Sequence, residues 1–171
     1  MSTLILVLRL VHVVAGALWA GIAIFTTVFL MPAVQETGRE GGAVMAAVQR
    51  RGLMTVLPAL ALATIVSGLW LYWLVSGGLR PAFLTSPVGL GLGVGGLASM
   101  LAYALGIGVT RPSMIRVAEL MEGLGSAPTG PDRETRLAEI QRLRARAAAA
   151  ARVIAALLVL SLAGMAVARY L

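Results

Sequence analysis

Leu10 to Gln35 reads LVHVVAGALWAGIAIFTTVFLMPAVQ, a run without one Asp, Glu or Arg and with a single imidazole near its start. About 20 apolar residues cross a bilayer as a helix, so this stretch is long enough to span one. Its apolar part far exceeds the roughly 7 to 15 residues of a secretory signal, and no small-residue cleavage site follows a basic start. It is therefore expected to stay in the mature protein. Comparable runs cover residues 52–79 and 81–110, and residues 147–168 are interrupted only by Arg152. The expected spans are about 4–31, 53–75, 87–110 and 147–170. The fold class that follows is all-α: an integral-membrane four-helix bundle in a single domain over residues 1–171. Amphipathic cytoplasmic helices are expected in the connections 32–52 and 111–146.

Composition agrees. Of 171 residues, 59% are hydrophobic and 12% charged, against roughly half and a quarter in soluble domains, which excludes a soluble fold. All 14 basic residues are Arg, so no mechanism can use a Lys ammonium. With no Cys there is no disulfide, thiolate metal site or iron–sulfur cluster, and one His rules out a multi-His centre within the chain. A net charge of +7 beside long apolar runs reads as membrane orientation, and no nucleic-acid partner is expected.

Arginines of short loops stay on the cytoplasmic side. The first and third connections hold Arg39, Arg50, Arg51, Arg111, Arg116, Arg133, Arg136, Arg142, Arg144 and Arg146, together with all the acids. The other side has Arg80 and Arg169, with Arg9 near its surface. The expected location is a bacterial inner membrane with both termini periplasmic. Trp70, Tyr72, Trp73 and Tyr170 fall at the outer span ends, where amphipathic rings favour the headgroup level.

On the inner side, Pro112 suits a first helical turn, and Met114, Val117, Met121 and Leu124 then recur at helical spacing. That pattern gives a short amphipathic helix lying at the membrane surface. After the turn-rich residues 125–131, a long helix starts on Asp132 and Glu134 and runs on to Tyr170. The two halves echo each other in a span, a proline (Pro32, Pro112), a Met-containing amphipathic stretch and an arginine cluster. Any pair of basic inner loops would share that pattern, so it does not by itself establish a duplication.

Spans associate through small residues and occasional hydrogen bonds. Gly91, Gly95, Ser99 and Ala102 share one face of the third span, and His12, Gly16, Ala20 and Ala23 form a similar stripe in the first. The second offers Pro58, Thr64, Ser67 and Gly68, and the fourth Ser161 and Gly164. The glycine-rich third span is also the expected surface for a second copy or a membrane-protein partner.

His12 is the candidate site, because an ionisable group inside a span needs a partner or a cavity. At its depth the other spans offer Ser67, Gly95, Gly96, Ser99 and Ser161, either leaving room for a ligand or hydrogen-bonding the ring. Arg9, three residues earlier, shares its face. It either snorkels to the surface or joins Arg80 and Arg169 in a cationic rim suited to carboxylates. No acid lies in any span, so a catalytic base cannot be named and the catalytic residues are unknown.

The segment from Leu10 to Gly21, followed by Pro32, resembles the first helix of the copper-resistance protein D superfamily, which includes the HemJ-type protoporphyrinogen oxidases. The recurring element, a His, six residues, a Trp, one residue and a Gly, falls on His12, Trp19 and Gly21, and the match covers about thirty residues. The resemblance implies haem or metal chemistry at the first-helix histidine, with His12 an axial-ligand and metal-ligand candidate. HemJ-type proteins pair that histidine with a lysine of a later helix, which this chain lacks, so the resemblance does not carry protoporphyrinogen oxidation with it.

A haem b could be held by His12 alone, by His12 with Met100 or Met165, or between the His12 residues of two copies. The candidate cofactor-binding set is His12, Arg9, Trp19, Ser67, Ser99, Ser161 and Met165. Copper is the competing cofactor, since imidazole and thioether suit Cu(I), although Met31, Met45, Met54, Met114 and Met121 cluster toward the inner surface. Three functions stay open: a haem-binding membrane protein, a cofactor-free accessory or scaffold protein, and a copper-handling or small transport protein.

Overall fold

The computed structural model describes residues 3–124, 131–168 and 170–171. Of the turn expected over residues 125–131, residues 125–130 lie outside the described residues, as does Arg169, and Pro131 already begins the last helix. Its helices are α1 (Thr3–Phe25), α2 (Met31–Glu36), α3 (Arg39–Arg50), α4 (Leu53–Val75), α5 (Pro81–Leu84), α6 (Pro87–Leu105), α7 (Arg111–Leu124) and α8 (Pro131–Ala168). Four helical stretches are long and apolar enough to cross a membrane: Thr3–Glu36, Leu53–Val75, Pro87–Gly123 and Asp132–Ala168. No strand occurs among the described residues.

The span expected over residues 53–75 is α4 residue for residue, because both ends carry chain-reversal chemistry. Gly52 takes φ of 90° between α3 and α4, a left-handed value that glycine adopts without a Cβ clash. Beyond Ser76 the backbone turns through positive φ at Gly77, Gly78 and Leu79. Ser76 holds that turn, accepting a hydrogen bond from Leu79 N at 2.8 Å and donating to Trp73 O at 3.1 Å. On α6, Ser86 caps the first turn by accepting from Gly89 N, with Pro87 at the first helical position.

The first and third spans do not stop at their prolines. Thr26–Leu30 and Gly106–Thr110 form single π turns, closed by Met31 N donating to Thr26 O and Arg111 N to Gly106 O. Each ends two residues before a proline, Pro32 or Pro112. Proline lacks an N–H and its ring clashes with the preceding turn, and the wider π turn absorbs both defects while the helix continues. The two halves therefore share a bent helix as well as a loop pattern.

α1 packs chiefly against α4 and α6 chiefly against α8, with contacts of α1 to α8 and α4 to α6 joining the pairs. All four meet in one core of Trp19, Ala20, Ala61, Ala102, Ile154 and Leu158. Most buried residues are small, as expected where close approach of backbones replaces hydrophobic collapse. Gly91 and Gly95 of α6 face Ala168, Ser161 and Met165 of α8, and Gly164 faces the carbonyl of Gly91. The glycine face is thus used within the chain, while Leu90, Val94, Leu97 and Leu101 of α6 are exposed. Exposed Leu, Val and Phe along the apolar stretches suit lipid contact.

One expectation is corrected. α7 is not a separate helix with an uncovered apolar stripe but continues α6 and packs on the first part of α8, where Val117 and Leu120 meet Ile140 and Leu143. Arg116 pairs with Glu119 at 3.2 Å and Glu139 at 3.4 Å on the rim of this contact. Arg144 reaches Met121 Sδ at 3.1 Å. α8, at 38 residues, is about 57 Å long at 1.5 Å per residue, enough to span and to project.

Candidate functional site

His12 lies on the α1 stripe that also carries Ala15, Gly16, Trp19 and Ala20, and this stripe faces α4. Its Nδ1 stands 2.8 Å from the carbonyl oxygen of Thr64. A carbonyl only accepts, so Nδ1 carries the hydrogen and donates it. In the neutral ring Nε2 then holds the lone pair, with no hydrogen-bond partner among the described residues.

Two glycines make this approach possible. A Cβ on Gly68 would stand 2.6 Å from His12 Cε1 and 2.9 Å from Nδ1, closer than packed atoms come. A Cβ on Gly16 would stand 3.2 Å from Thr64 Cγ2. The imidazole occupies the notch that Gly68 leaves, and it is half-buried.

The hydroxyls do not turn toward the ring. Thr64 Oγ1 donates to Leu60 O at 2.7 Å, and Ser67 Oγ lies 2.6 Å from Ala63 O and 3.1 Å from Thr64 O. Ser99 donates to Gly96 O at 2.7 Å. Each is satisfied by its own helix. Ser67 thus shares the Thr64 carbonyl with His12, whereas Ser161 and Met165 sit on Gly95 in the seam of α6 and α8. Trp19, two turns along α1 from His12, is 5% exposed in the four-helix core.

Arg9 is exposed, and so is Arg80, whose Nε lies over the turn 3.1 Å from where a Gly77 Cβ would be. At the other end of the bundle, Arg152 donates to Ala148 O one turn toward the arginine-rich side. Trp70 and Trp73 are exposed, while Tyr72 turns inward and donates to Gly89 O at 3.0 Å. A groove of about 470 Å³ is lined by Val66, Leu69, Trp70 and Trp73, on the α4 face opposite Thr64 and Gly68. His12 does not open into it.

The Thr64 carbonyl is the partner that sequence reasoning missed, because a backbone acceptor has no residue signature. Gly68 was visible only as a packing residue. Counted from the π turns, Leu92 of α6 takes the place that His12 has in α1, each fourteen residues before the turn begins. The site is therefore one-sided. Among the described residues no three His, Cys, Asp or Glu side chains gather in a metal-binding group. Comparison with protein-family models, curated proteins and solved structures returns no match.

Proposed function

We propose that this chain is an inner-membrane protein of the copper-resistance D/HemJ-like type that binds haem b through Nε2 of His12. The observation that carries the reading is the 2.8 Å hydrogen bond from Nδ1 to the Thr64 carbonyl. Ligating histidines typically donate their other ring N–H to such an acceptor, which fixes the tautomer and raises the basicity of the ligating nitrogen. Here Gly68 removes the one atom that would block the ring.

The donor set suits a porphyrin better than a bare ion. A porphyrin supplies four nitrogens of its own, so iron needs only one or two protein ligands. Copper held by protein alone needs several, and the sole imidazole is packed against α4 while Met165 packs against Gly95. A second His12 from another copy would complete a bis-histidine site. Arg9 and Arg80 are the cations available for propionates on the arginine-poor side.

When bound, haem would supply one-electron redox chemistry. The chain's own contribution is to orient one imidazole, donate its Nδ1 hydrogen to Thr64 O, and seat the ring in the Gly68 notch of α4. The arginine asymmetry supports periplasmic termini for this reading. Visible absorption spectra of the wild type and of His12→Ala test it, and absence of any haem signal would favour the cofactor-free accessory reading.

A further inference from the structure

Away from His12, the π turn Gly106–Thr110 borders a cavity of about 280 Å³ lined by Gly108, Val109, Pro112, Ser113, Leu143 and Arg146. Ser113 is 4% exposed and has no hydrogen-bond partner among the described residues. In the adjoining turn Thr110 Oγ1 is buried and also unpartnered. A buried hydroxyl normally finds a partner, so the orphaned Thr110 Oγ1 marks a place where a polar group is missing, and the Ser113 hydroxyl on the cavity lining is free to bind one. Arg146 makes no ion pair among the described residues, and no carboxylate lines the cavity.

These hydroxyls are not required by the bent helix. The same turn in the first half has Leu30 and Ala33 where the second has Thr110 and Ser113. The depth is also informative. The apolar run of α6 ends at Arg111 and that of α8 begins at Ala147, so the cavity lies where both leave the apolar layer. Arg142, one turn from Arg146 on α8, adds positive charge nearby.

We propose that this cavity binds the phosphate of an anionic phospholipid headgroup. The Arg146 guanidinium supplies a planar fork for two phosphate oxygens, and Ser113 donates a third hydrogen bond. Val109, Pro112 and Leu143 form an apolar wall for the glycerol and the start of the acyl chains. A free phosphate would use the arginine and the hydroxyl but not that wall, and basic pockets between helices at this level suit anionic headgroups. The proposal is independent of haem at His12.

The test is native mass spectrometry of the detergent-purified full chain titrated with phosphatidylglycerol, phosphatidylcholine or inorganic phosphate. The wild type should hold one phosphatidylglycerol in preference to phosphatidylcholine. Arg146→Gln should weaken that binding about tenfold or more, the loss expected of a charge-assisted pair. Ser113→Ala should weaken it by a smaller factor, while Arg39→Gln on the first connection should not change it. Arg146 is exposed, so its replacement should spare the fold, and Ser113→Ala gives a second reading if it does not. Equal binding by Arg146→Gln and Arg39→Gln would overturn the site in favour of general surface charge. Equal retention of phosphatidylcholine, or displacement of the lipid by inorganic phosphate at comparable concentration, would overturn the assignment to an anionic lipid.

Discussion

His12 can reach the Thr64 carbonyl because residue 68 is glycine: a Cβ there would lie 2.6 Å from His12 Cε1 and 2.9 Å from Nδ1. Gly68→Ala should therefore push the ring out of its notch and break the Nδ1 hydrogen bond. The expected loss is about 1–3 kcal/mol, the usual range for overpacking. Gly21→Ala is the control, since nothing lies within 4 Å of the added carbon. Denaturation in mixed micelles should show Gly68→Ala clearly less stable and Gly21→Ala unchanged or slightly more stable. Equal effects would mean that the notch does not matter.

The seam of α6 and α8 has little room to spare. A Cβ on Gly95 would stand 3.1 Å from Ser161 O and 3.2 Å from Met165 Cγ. Gly95→Val should cost at least about 1–3 kcal/mol by the same overpacking argument. Gly96→Val, whose Cβ meets nothing within 4 Å, should cost far less. Unfolding midpoints of the two variants measure the difference.

Leu79 holds a positive φ of 64° in the turn after α4. A left-handed backbone costs an L residue about 1–2 kcal/mol, which glycine avoids. Leu79→Gly should thus leave stability unchanged or raise it by up to about 1 kcal/mol, after allowing for glycine's freer unfolded chain. A marked loss of stability would show that the Leu79 side chain has a packing role that outweighs this strain.

The sequence makes the four spans legible because length and apolarity are enough to mark them, and α4 is bounded further by Gly52 and the Ser76–Gly77–Gly78 turn. The continuity of the first and third helices past Pro32 and Pro112 was not legible. A proline reads as an end or a first turn, and nothing in Thr26–Leu30 or Gly106–Thr110 announces a π turn. The apolar stripe of α7 was correct as a pattern but silent about its cover, since lipid and the Ile140 face of α8 satisfy it equally. At the site, His12 stood out as the lone ionisable group in a span. Its neighbours did not, because hydroxyls such as Ser67 and Ser99 bond to their own helices and the true partner is main chain.

The exposed arginines near the His12 end should separate ligand binding from interfacial anchoring. If Arg9 pairs with a haem propionate, Arg9→Gln should weaken haem binding about tenfold or more, because a shielded charge-assisted hydrogen bond is worth about 1.5–3 kcal/mol. Arg39→Gln, on the first connection, should leave it unchanged. Haem titration of both variants decides the matter, and identical affinities would assign Arg9 to the membrane surface alone.

The most direct measurement is the visible absorption spectrum of the full chain, purified after expression with ample haem precursor, alongside His12→Ala and Gly68→Ala. Haem ligation by Nε2 requires a Soret band in the wild type, its loss in His12→Ala, and a shifted or weakened band in Gly68→Ala, where the ring is displaced. A wild type without a Soret band, or a His12→Ala spectrum identical to it, would contradict haem binding at this histidine.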